Sequence, residues 1–213
     1  MAGIGFPGGI HSVRILLGGF VVCLTPLAPG QTSTPPATAP VTAPAAESSG
    51  NLQYYLKHTY GPGAIVRSAF WSGVAQWRDY PTEWGQGADG YGRRLGSAQG
   101  RRIIKNTVDF GFASLRGEVL DYSRCECKGF WPRTKHALKY TFVRRAEDGG
   151  TTLALGRFAG AYASGLASNL WYPDSRNGLG DGLERGSLSI GWDAGNNVFR
   201  EFWPDVKKRF SRR

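Results

Sequence analysis

A mainly α, compact bundle of four to five helices, packed through small-residue interfaces, is the fold that this sequence predicts. Three observations carry it. Small residues recur every fourth position in Leu153–Asp174: Gly156, Gly160, Ser164 and Ser168, with Ala159, Ala163 and Ala167 beside them. On a helix that spacing puts each row on one side, where another backbone can approach closely. Two further segments repeat the pattern, Gly92-Gly96-Gly100 and Ser187-Gly191-Gly195. Finally, apolar residues around these rows recur at three and four positions, the period of a helix rather than of a strand. Glycine weakens an isolated helix by about 1 kcal/mol relative to alanine, so helices this rich in it depend on their neighbours.

Residues 1–30 read as a signal peptide. Arg14 precedes the apolar run Ile15–Leu24, which is too short to cross a bilayer, and Ala28-Pro29-Gly30 offers small residues for cleavage. The mature chain is then expected near Gln31, exported to the periplasm or associated with the outer membrane. The alternative is an uncleaved anchor through residues 12–28. Residues 31–50 are Pro, Thr, Ala and Ser with a single charge, and read as a disordered linker. Residues 51–213 are long enough for a single helical domain.

Within that domain the elements follow in order. Pro62 suits a helix's first turn. Ile65–Trp77 reads as a helix with Ile65, Val66, Phe70, Val74 and Trp77 as its apolar set, followed by a Pro- and Gly-rich loop over 79–89. The next helix runs from Gly90 to about Leu115. Arg93, Arg94, Arg101 and Arg102 flank its glycine row. Each arginine would cost about 2.5–3.5 kcal/mol at a bilayer centre, so this is a packing ridge or a helix lying at a surface. Residues 117–130 are a connector. Pro132 opens a helix through Phe142, and Glu147–Gly150 is a turn; for residues 140–155 a short β-hairpin is the alternative, because Tyr140–Phe142 and Leu153–Leu155 alternate. After the Leu153–Asp174 segment comes the turn-rich 173–182, then a last helix over Leu183–Phe202. Leu188, Trp192, Val198, Phe199 and Phe202 supply its bulk, and Pro204 interrupts it. An alanine at Gly160 is expected to do far less harm than a leucine.

The formal charge is +10, and removing Arg14 with the leader leaves +9, since no acid precedes Glu47. Solubility alone accounts for such a charge. Beyond it, an exported basic chain has anionic membrane surface or envelope polymer as its expected partner, with nucleic acid ranked below both. Oligomeric state is not readable. The seven tryptophans are expected in the core or as surface caps, with lipid headgroups or glycans as the alternative.

For chemistry, His136 is the best-placed titratable residue and could act as a base, although a lone histidine on a half-buried helix is more often structural. Asp193, Glu201 and Asp205 lie in or just beyond the last helix, where paired carboxylates could do acid–base work; pairing with the many arginines competes with that role. Asp174, Asn177, Asp181 and Glu184 punctuate a Gly-rich loop in a spacing that does not match an EF-hand. Cys125-Glu126-Cys127 reads as two thiols or a local disulfide. No P-loop, dinucleotide fingerprint, H-E-x-x-H or G-x-S-x-G occurs, and no cofactor or metal is expected.

The segment Asn197–Val206, with its N-V-x-x-E-F-W-P-D element, resembles a family of uncharacterised exported bacterial proteins. Three further stretches share in the likeness: Gly92–Phe112, the Phe-Trp-x-Arg-Thr-x-His-Ala of Phe130–Ala137, and Tyr172-Pro173-Asp174. The similarity covers roughly residues 60–206. It implies export and a single domain and brings no activity. The expected function is therefore an exported, envelope-associated structural or binding protein. The alternative is an extracytoplasmic hydrolase acting on an envelope polymer through His136 and a carboxylate such as Asp193 or Glu201.

Overall fold

The computed structural model describes residues 45–211. The leader and all of the linker before Ala45 lie outside them. The described chain is mainly helical with one two-stranded antiparallel hairpin, as the periodicity implies. Helix α1 (Ala45–Tyr60) begins inside the stretch read as linker, and is a helix that the sequence reading did not separate from its surroundings. It is followed by α2 (Pro62–Trp77), α3 (Gly87–Arg116) and α4 (Phe130–Phe142). Strands β1 (Val143–Arg145) and β2 (Thr151–Leu153) pair with Val143 opposite Leu153 and Arg145 opposite Thr151. The hairpin thus starts where α4 ends, three residues later than the Tyr140–Phe142 alternation suggested. Helices α5 (Leu155–Ala167) and α6 (Leu179–Phe210) complete the fold.

Helix α5 sits between the two long helices α3 and α6; the four-residue row explains the side toward α3, and Gly165, which is not part of that row, explains the side toward α6. A Cβ placed on Gly160 would lie 2.4 Å from the Lys105 carbonyl oxygen of α3. One placed on Gly165 would lie 2.3 Å from the Gly182 carbonyl oxygen of α6. Main chain touches main chain on both sides, so the organising role read for this stretch holds. The contact is tighter than expected, because even an alanine methyl would collide. The other two rows are different. Nothing lies within 4 Å of a Cβ built at Gly92, Gly96, Gly191 or Gly195, and Gly100 meets only the Trp171 ring at 3.8 Å. Those rows are not packing ridges; their spacing permits a close approach that no neighbour uses.

The larger departure concerns which side of each helix faces in. The buried apolar residues are chiefly alanines, with Trp84, Leu120 and Tyr172. Helix α2 turns Ala64, Ser68 and Ser72 inward, while Ile65, Val66, Phe70 and Trp77 of its apolar set stay exposed. Helix α6 buries Arg185, Asn197 and Glu201 and exposes Leu188, Trp192 and Phe199. Of the seven tryptophans only Trp84 is buried, so of the two places expected for them, core and surface, the surface takes the other six.

Pro204 does not end α6. Arg133 of α4 braces the turn around it: Nε reaches Glu201 Oε1 at 3.3 Å, Nη1 donates to Asp205 Oδ2 at 2.5 Å, and Nη2 donates to the Glu201 carbonyl. Its guanidinium also lies 4.5 Å from the centre of the Phe202 ring. A proline removes one helical hydrogen bond and crowds the preceding turn; here a cation from the neighbouring helix holds both flanks.

Candidate functional site

The interior is built from charge. Near the loop before α3, Arg94 is almost wholly buried and spends all five N–H groups: on the carbonyls of Tyr80, Pro81 and Gly85, on Gln76 Oε1, and on Asp79 Oδ1 at 3.4 Å. One of the four arginines read as flanking a glycine ridge is therefore the internal clamp of residues 79–86. Arg102 donates to the Ala64 carbonyl at 2.6 Å; burial, and then the nearby Arg67, lower its pKa to about 10.

A second group surrounds Glu118, just past α3, whose side chain is fully buried. Glu118 Oε1 accepts from Arg116 Nε at 2.5 Å and from the Thr152 hydroxyl at 2.9 Å. Arg144 binds Asp109 with two parallel bonds of 2.8 and 2.9 Å. Burial works against the Arg144 charge, but Asp109 and Glu118 outweigh it and raise its pKa. Asn51 of α1 closes the group, donating to the Glu118 carbonyl at 2.8 Å and accepting from the Leu120 N–H at 2.9 Å. Arg157 of α5 donates to the Tyr140 and Thr141 carbonyls in the last turn of α4, where a cation also suits the helix dipole; burial, then Arg144, lower its pKa.

The sequence candidates fall in a third group and divide between two places. Asp193 is bound by Lys105 Nζ at 2.8 and 2.7 Å, with Ser189 sharing the ammonium. Glu201 lies eight residues further along α6, about 12 Å at 1.5 Å per residue. There it meets His136, with Nδ1 at 4.0 Å from Oε2. Glu201 is fully buried and its acceptor capacity is committed: to the Tyr122 hydroxyl at 2.7 Å, to the Cys125 N–H at 3.2 Å from both oxygens, and to Arg133. Tyr122 spends its one proton on Glu201, so its oxygen accepts from His136 Nδ1 at 3.3 Å. Burial and the bond to Glu201 raise the Tyr122 pKa well above the ordinary phenol value. The His136 ring packs on Tyr140, with centroids 4.3 Å apart. Asp205, exposed, is held by Arg133, which depresses its pKa.

His136, Glu201 and Tyr122 thus form a linked acid–phenol–imidazole set, but neither His136 nor Glu201 lines either of two small cavities nearby, and only Tyr122 reaches one of them. One, bordered by Tyr122, Tyr140, Arg144 and Arg157, has room for about one water; the other lies among Tyr54, His58, Asn106 and Asp109. The set's geometry instead ties the connector around Cys125 to α6. Cys125 and Cys127 are joined in a disulfide. Among the loop residues weighed as oxygen ligands, Asp181 caps the Gly178 N–H at 3.2 Å and Asp174 accepts from Asn177 at 3.0 Å. Among the described residues no group of three or more His, Cys, Asp or Glu side chains is arranged to hold a metal ion.

What sequence reasoning did not reach were Tyr122, Arg133 and Arg144 as the partners of these carboxylates, and Glu118 as a buried acid. Only the proline-bearing motif around Glu201 hinted that its surroundings were special. No family model, no curated protein and no solved structure matches this chain.

Proposed function

We propose that the protein is an exported, envelope-associated structural or binding protein that attaches to an anionic membrane surface or envelope polymer. The observation that carries this reading is the inverted distribution of side chains. Large apolar and aromatic residues lie outside on α2, α4 and α6, charged residues lie inside, and the chain has a formal charge of +10. Soluble monomers rarely expose large contiguous apolar patches unless something binds there, and a basic chain adds attraction to polyanions. Export rests on the leader read in residues 1–30. No helix among the described residues is long and apolar enough to cross a membrane, so the attachment proposed is to a surface.

Co-sedimentation tests it, with phosphatidylcholine vesicles containing or lacking phosphatidylglycerol and with isolated envelope polymer, at low and high salt. Binding to anionic material that weakens with salt is the expected result. Absence of binding to every one of these materials refutes the reading and leaves the charge as simple solubilisation.

A second reading, a hydrolase acting on an envelope polymer, is favoured by one observation: the 4.0 Å approach of His136 to Glu201. Against it stand the commitment of Glu201 to Tyr122, Cys125 and Arg133 and the packing of the imidazole on Tyr140. Release of soluble fragments from envelope polymer by the parent chain, and not by His136→Asn, would reverse the order of the two readings.

A further inference from the structure

We propose that the outward stripe of α6, with the aromatic side chains beside it on α2 and α4, is the face that enters the headgroup layer of an anionic bilayer, the helix lying in the membrane plane. This rests on the envelope reading above and names its surface. The stripe consists of Leu188, Trp192, Phe199, Trp203, Val206 and Phe210. At 100° per residue these six positions fall within an arc of about 60°, and at 1.5 Å per residue they extend over about 33 Å. All six are exposed, from 39% for Val206 to 76% for Phe210. The face turned away from them carries Asn197 and Glu201, which are buried. A surface helix of a soluble protein shows the opposite arrangement.

The stripe does not stand alone. The Trp192 ring meets Trp71 of α2 with centroids 4.5 Å apart, and Trp71 meets Phe70. Beside the stripe, Phe130 of α4 stacks on Phe202 at 5.2 Å and carries the exposed Trp131 next to it. An aromatic side chain offers about 150–250 Å². Half-exposed, the six stripe residues therefore present roughly 500–600 Å², already at the upper end of the largest patch that monomers usually show.

Two observations select an anionic bilayer as the occupant over a second copy of the chain. The first is charge: Lys207 and Arg209 are exposed on either side of Trp203, Val206 and Phe210, with Lys208 exposed on the same turn, and Arg67 of α2 and Arg78 at its C-terminal end are exposed too. Two copies brought together here would oppose like charges, whereas an anionic surface neutralises them. The second is the tryptophans: Trp192 and Trp203 lie in the stripe, Trp71 touches it from α2, and Trp131 is exposed beside it on α4. Tryptophan concentrates at membrane–water interfaces, where one end of the ring is dry and the other wet.

The test uses the full chain with phosphatidylcholine–phosphatidylglycerol vesicles, some carrying bromine on the acyl chains to quench nearby tryptophans. The double variant Trp192→Glu, Phe199→Glu, checked for parental helicity by circular dichroism, is expected to lose about tenfold or more in vesicle partition and most of the quenching. A second variant, Lys207→Gln with Lys208→Gln and Arg209→Gln, is expected to lose the salt-sensitive part of the binding and to keep, at both salt concentrations, the residual part that the parent shows at high salt. Parental binding by the double variant, or absence of bromine quenching in the parent, overturns the proposal while the envelope reading stands. A parent that binds no vesicle overturns the proposal, and one that also fails to bind envelope polymer takes the broader reading with it. A parent that sediments as a dimer without lipid, with the double variant monomeric, assigns the face to a second copy and likewise overturns the proposal.

Discussion

Replacing Gly160 by alanine is the smallest change that tests how this domain is packed. An alanine Cβ at that position would lie 2.4 Å from the Lys105 carbonyl oxygen, 3.2 Å from its carbon and 3.4 Å from its Cα. These are main-chain atoms of α3, which cannot rotate aside as a side-chain tip would. Restoring ordinary contact requires α3 and α5 to separate by about 1 Å along a tightly packed seam. Overpacking of this kind costs about 1–3 kcal/mol, and alanine's better helix propensity returns about 1 kcal/mol. The expected net loss is up to about 2 kcal/mol, with a melting temperature lower by up to roughly 8 °C for a domain of this size. Gly160→Leu should lose several kcal/mol. The control is Gly96→Ala on the exposed side of α3, where nothing lies within 4 Å; relief of glycine's backbone entropy should raise stability by about 0.5–1 kcal/mol. Thermal melts by circular dichroism and urea midpoints compare the four chains. A Gly160→Ala variant that melts above the parent, or a Gly160→Leu variant that melts with it, would show that α3 and α5 do not meet as described.

Three further outcomes are expected. Glu201→Ala strips a fully buried carboxylate from Arg133, Tyr122 and the Cys125 N–H; it should cost about 3 kcal/mol or more in urea unfolding, with Glu201→Gln less damaging. Asn51→Ala leaves the buried Glu118 carbonyl and Leu120 N–H without their partner and should cost about 2 kcal/mol or more by the same measurement. His58 donates from Nδ1 to the Tyr54 carbonyl in its neutral form, and burial holds its pKa below the ordinary 6.5. The folded chain therefore binds that proton less readily than the unfolded one. Its contribution is whole above pH 6.5 and lost as pH falls through the folded value. The melting temperature of the parent should drop more steeply than that of His58→Gln between pH 7 and pH 5; parallel curves would count against it.

How far the sequence could be read is clearest in its glycine rows. Gly156, Gly160 and Ser164 announce a close helix contact, and α3 supplies it. Gly92-Gly96 and Gly191-Gly195 have the same spacing and no neighbour. Small residues state what a surface allows, and which allowance is used depends on tertiary arrangement. Apolar periodicity has the same limit. Leu188, Trp192 and Phe199 mark one face of α6, but period alone does not say whether that face points in. The interior could not be read because its pairs are remote in sequence: Glu201 is 79 residues from Tyr122 and 68 from Arg133. Pro204 is a related case, since a proline signals a break unless a partner outside the helix, here Arg133, supports its flanks.

The polar interior and the apolar exterior are parts of one arrangement. A helix has one circumference, so Asp193, Asn197 and Glu201 can face inward only if Trp192, Phe199 and Trp203 face outward. With few large apolar side chains inside, burial of hydrocarbon contributes less than usual to holding the helices together. What remains is close backbone approach at Gly160 and Gly165, and charge pairs that satisfy one another. Those pairs are costly to break singly but add little net stability as a set, because desolvation offsets their attraction. Small-residue seams and internal polar bonds are also what join helices where the surroundings are hydrocarbon rather than water. Such seams do not draw on the outer apolar side chains, so the helices are held together while the stripe stays outside. Because the stripe's side chains take no part in the inner network, making them polar should remove docking and leave the bundle standing.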